Sequence, residues 1–254
     1  MTKKVSKIAK VLISLWIYFF VLTSIVILVP VAILIRLFTY PFDKNLKLIR
    51  LVYCFVSRLY LFLSPLWKIR IEGKENFHGQ KVYVIISNHQ SMLDIVVIQN
   101  LYRHFSWVSK AENFGYPFLG WLMKISGDIK LERDNPQSFA KLVRNCSRKL
   151  SSGNSIIIFP EGTRTPDGEI KRFKEGAFRI AQLSKMPILP IVIDGTREVL
   201  PKTGILMKAS SNFRLRVLNE IPYELFKDET PRKIADNLKQ LMSDELLHMR
   251  NENL

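Results

Sequence analysis

Residues 82–87 read VYVIIS, and residues 88–94, which follow without a break, read NHQSMLD. The first string is a short run of β-branched and aromatic residues bounded by polar ones, which is typical of a buried strand. The second string is polar where it begins, so it predicts the turn that leads from this strand into a helix. Together the two strings predict a strand–turn–helix unit with a histidine in the turn.

Further short apolar runs predict that this unit is one of several. Five runs are strand candidates, at residues 105–109, 129–132, 155–159, 188–193 and 213–218. Apolar residues at three- and four-residue spacing predict a helix that includes Leu142 and Cys146, and another that begins at Thr230-Pro231. Strands that alternate with helices predict an α/β fold, in which a largely parallel sheet is covered by helices.

The amino-terminal part of the chain predicts membrane attachment. Residues 11–35 contain no charged side chain, and a helix of this length, ~37 Å, exceeds the ~30 Å hydrocarbon core of a bilayer. A second apolar stretch, residues 46–63, carries Lys47, Arg50 and Arg58, so it suits the membrane interface better than the bilayer centre. We therefore expect a membrane-associated two-helix segment with its break near Pro41.

Basic residues flank the first apolar run on both sides and leave its topology open. They are Lys3, Lys4, Lys7 and Lys10 before the run, and Arg36, Lys44, Lys47 and Arg50 after it. This balance fits either a span of undetermined orientation or two ends on one leaflet. The run is long for a soluble core helix and for the apolar region of a signal peptide. We therefore divide the chain into a membrane-associated helix pair, residues 1–64, and an α/β domain, residues 65–254.

The composition is that of a basic, folded protein. The 254 residues include 38 Lys and Arg against 22 Asp and Glu, and 48% of them are apolar, which excludes global disorder. A formal net charge of +16 favours an anionic partner: nucleic acid, a phosphorylated substrate or an anionic membrane surface. The basic stretches lack the interleaved aromatics of a single-strand-binding surface, which argues against nucleic acid. Cys54 and Cys146 are too few for a disulfide framework, and no metal-ligand spacing occurs.

His89 and Asp94 are the first candidates for chemistry. In a continuous helix, residues five apart are displaced by about 140° and do not touch. A turn before the helix instead lets the carboxylate of Asp94 reach back to one imidazole nitrogen, leaving the other nitrogen to remove a proton. With no partnering Ser or Cys nucleophile, the pair predicts a general base that acts on a substrate hydroxyl. The alternative is a helix amino terminus capped by Asn88, with His89 as a bystander.

A second polar segment, FPEGTRT at residues 159–165, follows another strand candidate. Gly162 allows a close backbone approach, the hydroxyl of Thr163 is a hydrogen-bond donor, and the planar fork of Arg164 fits a phosphate. An unpaired Glu161 at a strand end would be costly, so we expect it to hold an arginine or a substrate hydroxyl. Considered alone, this segment is equally typical of an ordinary turn.

Four segments together resemble the glycerolipid acyltransferase family. NHQSMLD is similar to the His-x-x-x-x-Asp motif of that family, and FPEGTRT is similar to its third motif almost letter for letter. Residues 127–133, GDIKLER, are similar to the second motif, and residues 188–191, ILPI, to the fourth. The four segments occur in family order, and the resemblance is closest to the bacterial 1-acyl-glycerol-3-phosphate acyltransferases. Members of that group also carry an amino-terminal helix pair on the membrane.

The resemblance implies a role for each matching residue. His89 would be the general base that takes the proton from the free hydroxyl of the acceptor, and Asp94 its orienting partner. The implied substrate-binding residues are Lys110, Arg133, Glu161, Gly162, Thr163 and Arg164. Arg133 and Arg164 match phosphate-binding arginines, and Lys110 matches a lysine beside the acceptor phosphate. Residues 130–132, KLE, depart from the family pattern, in which an aromatic or aliphatic residue is followed by Asp, and this puts the identity of the acceptor in doubt.

The resemblance also implies a reaction. An acyl group would pass from acyl-CoA or acyl carrier protein to the sn-2 hydroxyl of lysophosphatidic acid, giving phosphatidic acid in phospholipid biosynthesis. No cofactor or metal would be needed, and the partners would be membrane lipids and these substrates, without nucleic acid. The implied location is the inner membrane, with the active site on the cytoplasmic side. Three alternatives stay open: another lysolipid acceptor (a lyso-ornithine lipid or a lysophospholipid), a hydrolase using the same pair, and a non-catalytic membrane-anchored protein that binds anionic lipid.

Overall fold

A computed structural model describes residues 7–64, 67–132, 136–202, 206–207 and 211–252. Within these ranges the chain forms eight α-helices and seven strands. The helices are α1 Lys7–Thr39, α2 Lys47–Phe62, α3 Leu93–Gln99, α4 Leu119–Ile125, α5 Pro136–Ser151, α6 Gly176–Ser184, α7 Thr196–Val199 and α8 Pro231–Asn251. The strands are β1 Trp67–Glu72, β2 Val84–Ser87, β3 Phe105–Lys110, β4 Ile129–Leu131, β5 Ser155–Ile158, β6 Ile188–Asp194 and β7 Ser211–Val217.

The seven strands form one sheet in the order β1-β7-β6-β2-β5-β3-β4. From β6 to β4 all neighbours are parallel, whereas β7 runs antiparallel to β6 and parallel to β1. The predicted α/β fold with a largely parallel sheet is therefore confirmed. The first and last residues of each of the six predicted strands lie within two positions of those of an observed strand. β1 was not predicted.

The sheet is buried on both faces, which explains why its central strands are apolar throughout. In β2, Val84 and Ile86 point into a core formed with α5, α6 and α8, whereas Ile85 points into the opposite core, formed with α3 and the end of α2. Cys146 of α5 is fully buried in the first core, and burial raises the pKa of its thiol to about 12. As predicted, α8 begins beside Thr230, whose hydroxyl accepts the backbone N–H of Lys233 at 3.3 Å.

Helix α1 is long and apolar enough to anchor the chain in a membrane. Its candidate span, Val11–Thr39, has a mean hydropathy of 2.7, and only 11% of its most apolar window is buried. The helix continues through Pro30 and ends before Pro41, where the sequence predicted the break. One side of α1 contacts the rest of the chain from Ser14, whose hydroxyl accepts the backbone N–H of Met207 at 2.7 Å, to Ala32, which packs near α4. This helix therefore lies along the domain.

Helix α2 is joined to the sheet by a buried ion pair. The guanidinium of Arg50 donates to a carboxylate oxygen of Asp128 at 2.5 Å and to the carbonyl oxygen of Ser126 at 2.9 Å. The Asp128 carboxylate also accepts the backbone N–H of Trp107 in β3 and the hydroxyl of Ser126. At the start of α2, the carboxylate of Asp43 accepts two backbone N–H groups and supplies the amino-terminal cap.

Candidate active site

The candidate site lies at the carboxyl edge of the parallel strands. β2 and β5 are parallel neighbours, with Ile86 paired to Ile158, so the segments that follow them leave the sheet side by side. The backbone N–H of Thr165 donates to the carbonyl oxygen of His89 at 2.9 Å, which joins the segments directly. The two polar strings singled out in the sequence therefore form one surface.

His89 and Asp94 meet across the turn between β2 and α3. The Nδ1 atom of His89 lies 2.8 Å from Oδ2 of Asp94. Because α3 begins only at Leu93, Asp94 stands in its first turn and faces back toward the segment that contains His89. A carboxylate oxygen is an acceptor, so the contact places the imidazole proton on Nδ1 and leaves the lone pair of Nε2 free.

Further contacts hold the imidazole of His89 and the carboxylate of Asp94 in place. The imidazole of His89 stacks on the ring of Phe159, with centroids 4.1 Å apart and an interplanar angle of 11°. Asp94 is fully buried, and its Oδ2 also accepts the backbone N–H groups of Gln90 and Ser91, at 2.7 and 3.0 Å. Its other oxygen, Oδ1, accepts the hydroxyl of Thr196 at 2.5 Å. These contacts leave Asp94 little freedom to turn away from the imidazole.

Glu161 takes partners other than those expected from the sequence. Its Oε1 accepts the backbone N–H of His89 at 2.8 Å, and its Oε2 accepts the backbone N–H of Lys171 at 3.1 Å. Glu161 is only 4% exposed, and this burial raises the pKa of its carboxyl group to about 7. The two backbone hydrogen bonds lower the pKa, but their effect is smaller than that of burial. The sequence predicted an arginine or a substrate hydroxyl as its partner. In the structure these hydrogen bonds come from backbone N–H groups and not from an arginine, and they tie the loop after β5 to the backbone of His89; the substrate hydroxyl stays a prediction.

The remaining residues of FPEGTRT form a tight turn. Gly162 has a φ of +68°, a conformation that favours glycine, and its backbone N–H donates to the carbonyl oxygen of Phe159 at 3.1 Å. Thr165 is buried, and its hydroxyl accepts the backbone N–H of Gly168. Thr163 and Arg164 are half-buried. The turn therefore fixes the backbone and leaves the side chains of these two residues partly accessible.

Lys110 belongs to the other half of the sheet. Lys110 is the last residue of β3, is half-buried, and pairs in register with Leu131 at the end of β4. Because β3 is the parallel neighbour of β5, Lys110 stands at the same edge of the sheet as the turn with Glu161. Arg133 lies outside the described residues, as do residues 134 and 135 of the link between β4 and α5.

Three contributors to this site were not predicted as functional residues. Thr196 opens α7, after β6, and no local pattern marks it. Asn88, considered only as a helix cap, instead joins the turn to β6: its amide donates to the carbonyl oxygen of Ile193 at 2.9 Å and accepts the backbone N–H of the same residue at 2.8 Å. Phe159 supplies the stacking surface, and its place directly after a strand, at the head of FPEGTRT, was the available signal. Within the described parts of the chain, no group of three His, Cys, Asp or Glu residues is arranged to hold a metal ion.

The fold is that of an α/β protein with a His–Asp pair at the carboxyl edge of its parallel strands, and comparison with known proteins gives its family. A family model described as Acyltransferase matches residues 68–194. The chain belongs to this acyltransferase family.

Named relatives and a solved structure extend the comparison. The chain is 34% identical over 194 residues to the chloroplastic 1-acyl-sn-glycerol-3-phosphate acyltransferase LPAT1 of Arabidopsis thaliana, covering 72% of this chain and 53% of that protein. It is 31% identical over 231 residues to a Limnanthes alba protein named 1-acyl-sn-glycerol-3-phosphate acyltransferase, covering 87% and 78%. The chain thus spans about half the length of the first of these relatives and more of the second.

The crystal structure of the 1-acyl-sn-glycerophosphate (LPA) acyltransferase PlsC from Thermotoga maritima has a similar fold. The TM-score is 0.83 at 22% sequence identity, and the match covers 96% of this chain and 97% of that one. Such coverage extends beyond the residues of the family model and includes the amino-terminal helices. This similarity concerns the fold.

Proposed function

We propose that this protein transfers a fatty acyl group from an acyl thioester to the sn-2 hydroxyl of 1-acyl-sn-glycerol 3-phosphate, giving phosphatidic acid. The observation that carries the proposal is the 2.8 Å contact between Nδ1 of His89 and Oδ2 of Asp94, beside the turn that contains Glu161. The names of the relatives from Arabidopsis thaliana and Limnanthes alba support the choice of reaction and acceptor.

In the proposed mechanism His89 acts as the general base. Its Nε2 takes the proton of the sn-2 hydroxyl, and the oxygen attacks the thioester carbonyl carbon to form a tetrahedral oxyanion. When that intermediate collapses, the carbon–sulfur bond breaks and the thiolate leaves, taking the proton back from the imidazolium. Asp94 holds Nδ1–H and stabilises the positive charge that forms on the ring. The thioester is already activated, so the proposal requires no cofactor and no metal.

The acceptor phosphate would be held by cations at the same edge of the sheet. Arg164 is the first candidate, because it is half-buried in the turn next to His89 and its planar fork fits phosphate oxygens. Lys110 is proposed as a second phosphate contact, and Arg133 as a third on the strength of its motif. Gly162 and Thr163 would contribute the backbone and hydroxyl groups of the acceptor site. Glu161 belongs to the same acceptor-binding segment.

The location follows from the substrates. Acceptor and product carry acyl chains, so the site must lie at a bilayer surface, and we propose that residues 1–64 hold the domain of residues 65–254 there. Because α1 contacts the domain along most of its length, we propose that it lies in one leaflet rather than crossing the bilayer. Acyl-CoA and acyl carrier protein are cytoplasmic donors, so the active site would face the cytoplasm, at the inner membrane.

The experiment that tests this proposal is product identification with the purified full chain in mixed micelles. Labelled acyl-CoA or acyl carrier protein is offered with lysophosphatidic acid, a lyso-ornithine lipid or a headgroup-bearing lysophospholipid. We expect labelled phosphatidic acid. Preferential labelling of another lysolipid would identify that lysolipid as the acceptor instead of lysophosphatidic acid. Release of free fatty acid without lipid product would indicate a hydrolase. No turnover of any donor, with vesicle binding retained, would favour the non-catalytic lipid-binding alternative.

A further inference from the structure

A cationic cavity lies far from the candidate active site. Its volume is about 650 Å³, and the end of α1, the loop before α2 and the ends of α4 and α5 line it. Four cations contribute to its wall: Arg36, Lys44, Lys124 and Lys149. Apolar side chains supply most of the rest, and no carboxylate lines it within the described ranges.

The cavity and His89 lie at opposite edges of the sheet. Lys124 and Lys149 stand just before the amino ends of β4 and β5, whereas His89 and Glu161 stand beyond the carboxyl ends of β2 and β5. These strands are parallel, and the four residues of β5 alone span ~13 Å. A phosphate bound in the cavity is therefore a different group from one bound beside His89.

The cations of the cavity have little counter-charge from the chain itself. Nη1 of Arg36 is buried and has no hydrogen-bond partner among the described residues, and its guanidinium lies 4.8 Å from the centroid of the Tyr40 ring. Burial lowers the pKa of Lys149, and the nearby positive charge of Arg50 lowers it further. The negative charge of Asp128 raises the pKa but does not offset these two effects. The Asp128 carboxylate is already bonded to Arg50. An anion in the cavity would therefore relieve repulsion that the fold leaves uncompensated.

The surroundings of the cavity are those of a membrane-facing surface. At the end of α1, Leu37 lines the cavity and is 67% exposed, and Phe38 and Phe42 beside it are 72% and 73% exposed. Large apolar side chains exposed together beside a group of cations match an amphiphile with an anionic head. A soluble phosphate would use the cations and leave this apolar rim without a partner.

We propose that this cavity binds the phosphate headgroup of an anionic phospholipid, with the acyl chains of that lipid along the exposed end of α1. The bound lipid fixes the end of α1 and the amino edge of the sheet at an anionic membrane surface. This proposal concerns membrane binding alone and does not depend on the reaction at His89.

Flotation of the full chain with phosphatidylcholine vesicles, with and without phosphatidylglycerol, tests the proposal. The variant K124Q/K149Q removes two cations of the cavity, and K185Q/K239Q removes the same charge from residues that do not line it. We expect K124Q/K149Q to lose the preference for phosphatidylglycerol vesicles by about tenfold or more, because each well-placed cation contributes about 1 kcal/mol. K185Q/K239Q retains the preference of the wild type, and K124R/K149R, which keeps the charge, restores most of it.

Two results would overturn the proposal. An equal loss in K124Q/K149Q and K185Q/K239Q would mean that general surface charge attracts the protein to the vesicles. Binding of soluble glycerol 3-phosphate to the wild type but not to K124Q/K149Q, with unchanged vesicle binding, would assign the cavity to a soluble phosphate. Should circular dichroism show that K124Q/K149Q is unfolded, K44Q replaces it, because Lys44 is exposed at the rim; an unchanged preference of K44Q would count against the headgroup site.

Discussion

The hydroxyl of Thr196 donates a 2.5 Å hydrogen bond to Oδ1 of Asp94, the carboxylate oxygen that His89 does not use. Thr196 is fully buried, so no water replaces this contact. The two carboxylate oxygens of Asp94 therefore have different partners. Oδ2 accepts hydrogen bonds from the imidazole and from two backbone N–H groups, and Oδ1 accepts the hydrogen bond of the Thr196 hydroxyl at the start of α7. We conclude that Thr196 is a positioning residue for the His89–Asp94 pair.

Replacement of Thr196 by Val keeps the shape of the side chain and removes its hydroxyl. We expect kcat to fall about tenfold, because a hydrogen bond to a charged group contributes about 1.5–3 kcal/mol. The KM for the acceptor should stay the same, since Thr196 is proposed to act through Asp94 and not on the substrate. Steady-state kinetics of T196V and of T196S, in which the hydroxyl is kept, separate this role from a structural one. A T196V enzyme with wild-type kcat, or T196S as slow as T196V, would refute it.

Glu161 makes stability depend on pH. Burial raises the pKa of its carboxyl group from the ordinary value of 4.5 to about 7. Between these values the folded protein binds a proton that the unfolded chain has released, so the stabilisation present below pH 4.5 is lost as the pH rises to about 7. The loss amounts to about 3 kcal/mol at most. Glu161→Gln removes the titrating group, and thermal unfolding of both proteins in detergent across this range measures the effect. Parallel pH dependences for the wild type and E161Q would contradict this prediction.

The buried ion pair between Arg50 and Asp128 should be a major stabilising link between α2 and the sheet. The side chains are 6% and 5% exposed, so either single substitution leaves an uncompensated buried charge, at a cost of about 3–5 kcal/mol. We expect R50M and D128N each to lower the unfolding temperature strongly, and the double variant to lose less than the sum. The matched control is R70M, which breaks the pair with Glu72 at an Arg side chain that is 70% exposed and should change stability by about 0.5 kcal/mol or less. Additive losses in the double variant would contradict the ion-pair account.

Arg164 should affect binding of the acceptor more than the chemical step. Arg164→Ala removes the planar fork proposed to hold the phosphate, so we expect the KM for lysophosphatidic acid to rise about tenfold or more with a smaller change in kcat. Arg172→Ala is the matched control, because Arg172 lies in the same loop, is exposed and matches no motif of the family. An unchanged acceptor KM in R164A, or an equal rise in R172A, would remove Arg164 from the acceptor site.

Most of the fold could be predicted because the buried strands have local signatures. The run SIII of β5 and the run VIIS of β2 are apolar throughout, as strands covered on both faces must be. β1, WKIRIE, lies at the edge of the sheet and alternates charged with apolar residues, so it lacks the continuous apolar run of the central strands β2 and β5. The sequence also contains no local pattern that predicts the antiparallel pairing of β7 with β6. The direction of a strand is set by packing between elements that are distant in sequence.

The candidate site could be predicted only as far as local sequence extends. His89 and Asp94 are five residues apart, and the strand boundary before them was enough to predict that they meet. Thr196 lies 102 positions beyond Asp94 and reaches it only when β6 pairs with β2. The partners of Glu161 are backbone N–H groups, which every residue has, so no pattern of side chains identifies them.

The central claim is that His89 removes the proton from the acceptor hydroxyl, and the turnover of His89→Ala tests it most directly. The assay uses labelled acyl donor and lysophosphatidic acid, with His78→Ala as the control, because His78 is an exposed histidine at no proposed site. We predict that H89A loses at least about 100-fold in kcat while it stays folded and membrane-bound, and that H78A is unaffected. A folded H89A protein that keeps most of its turnover would contradict the account.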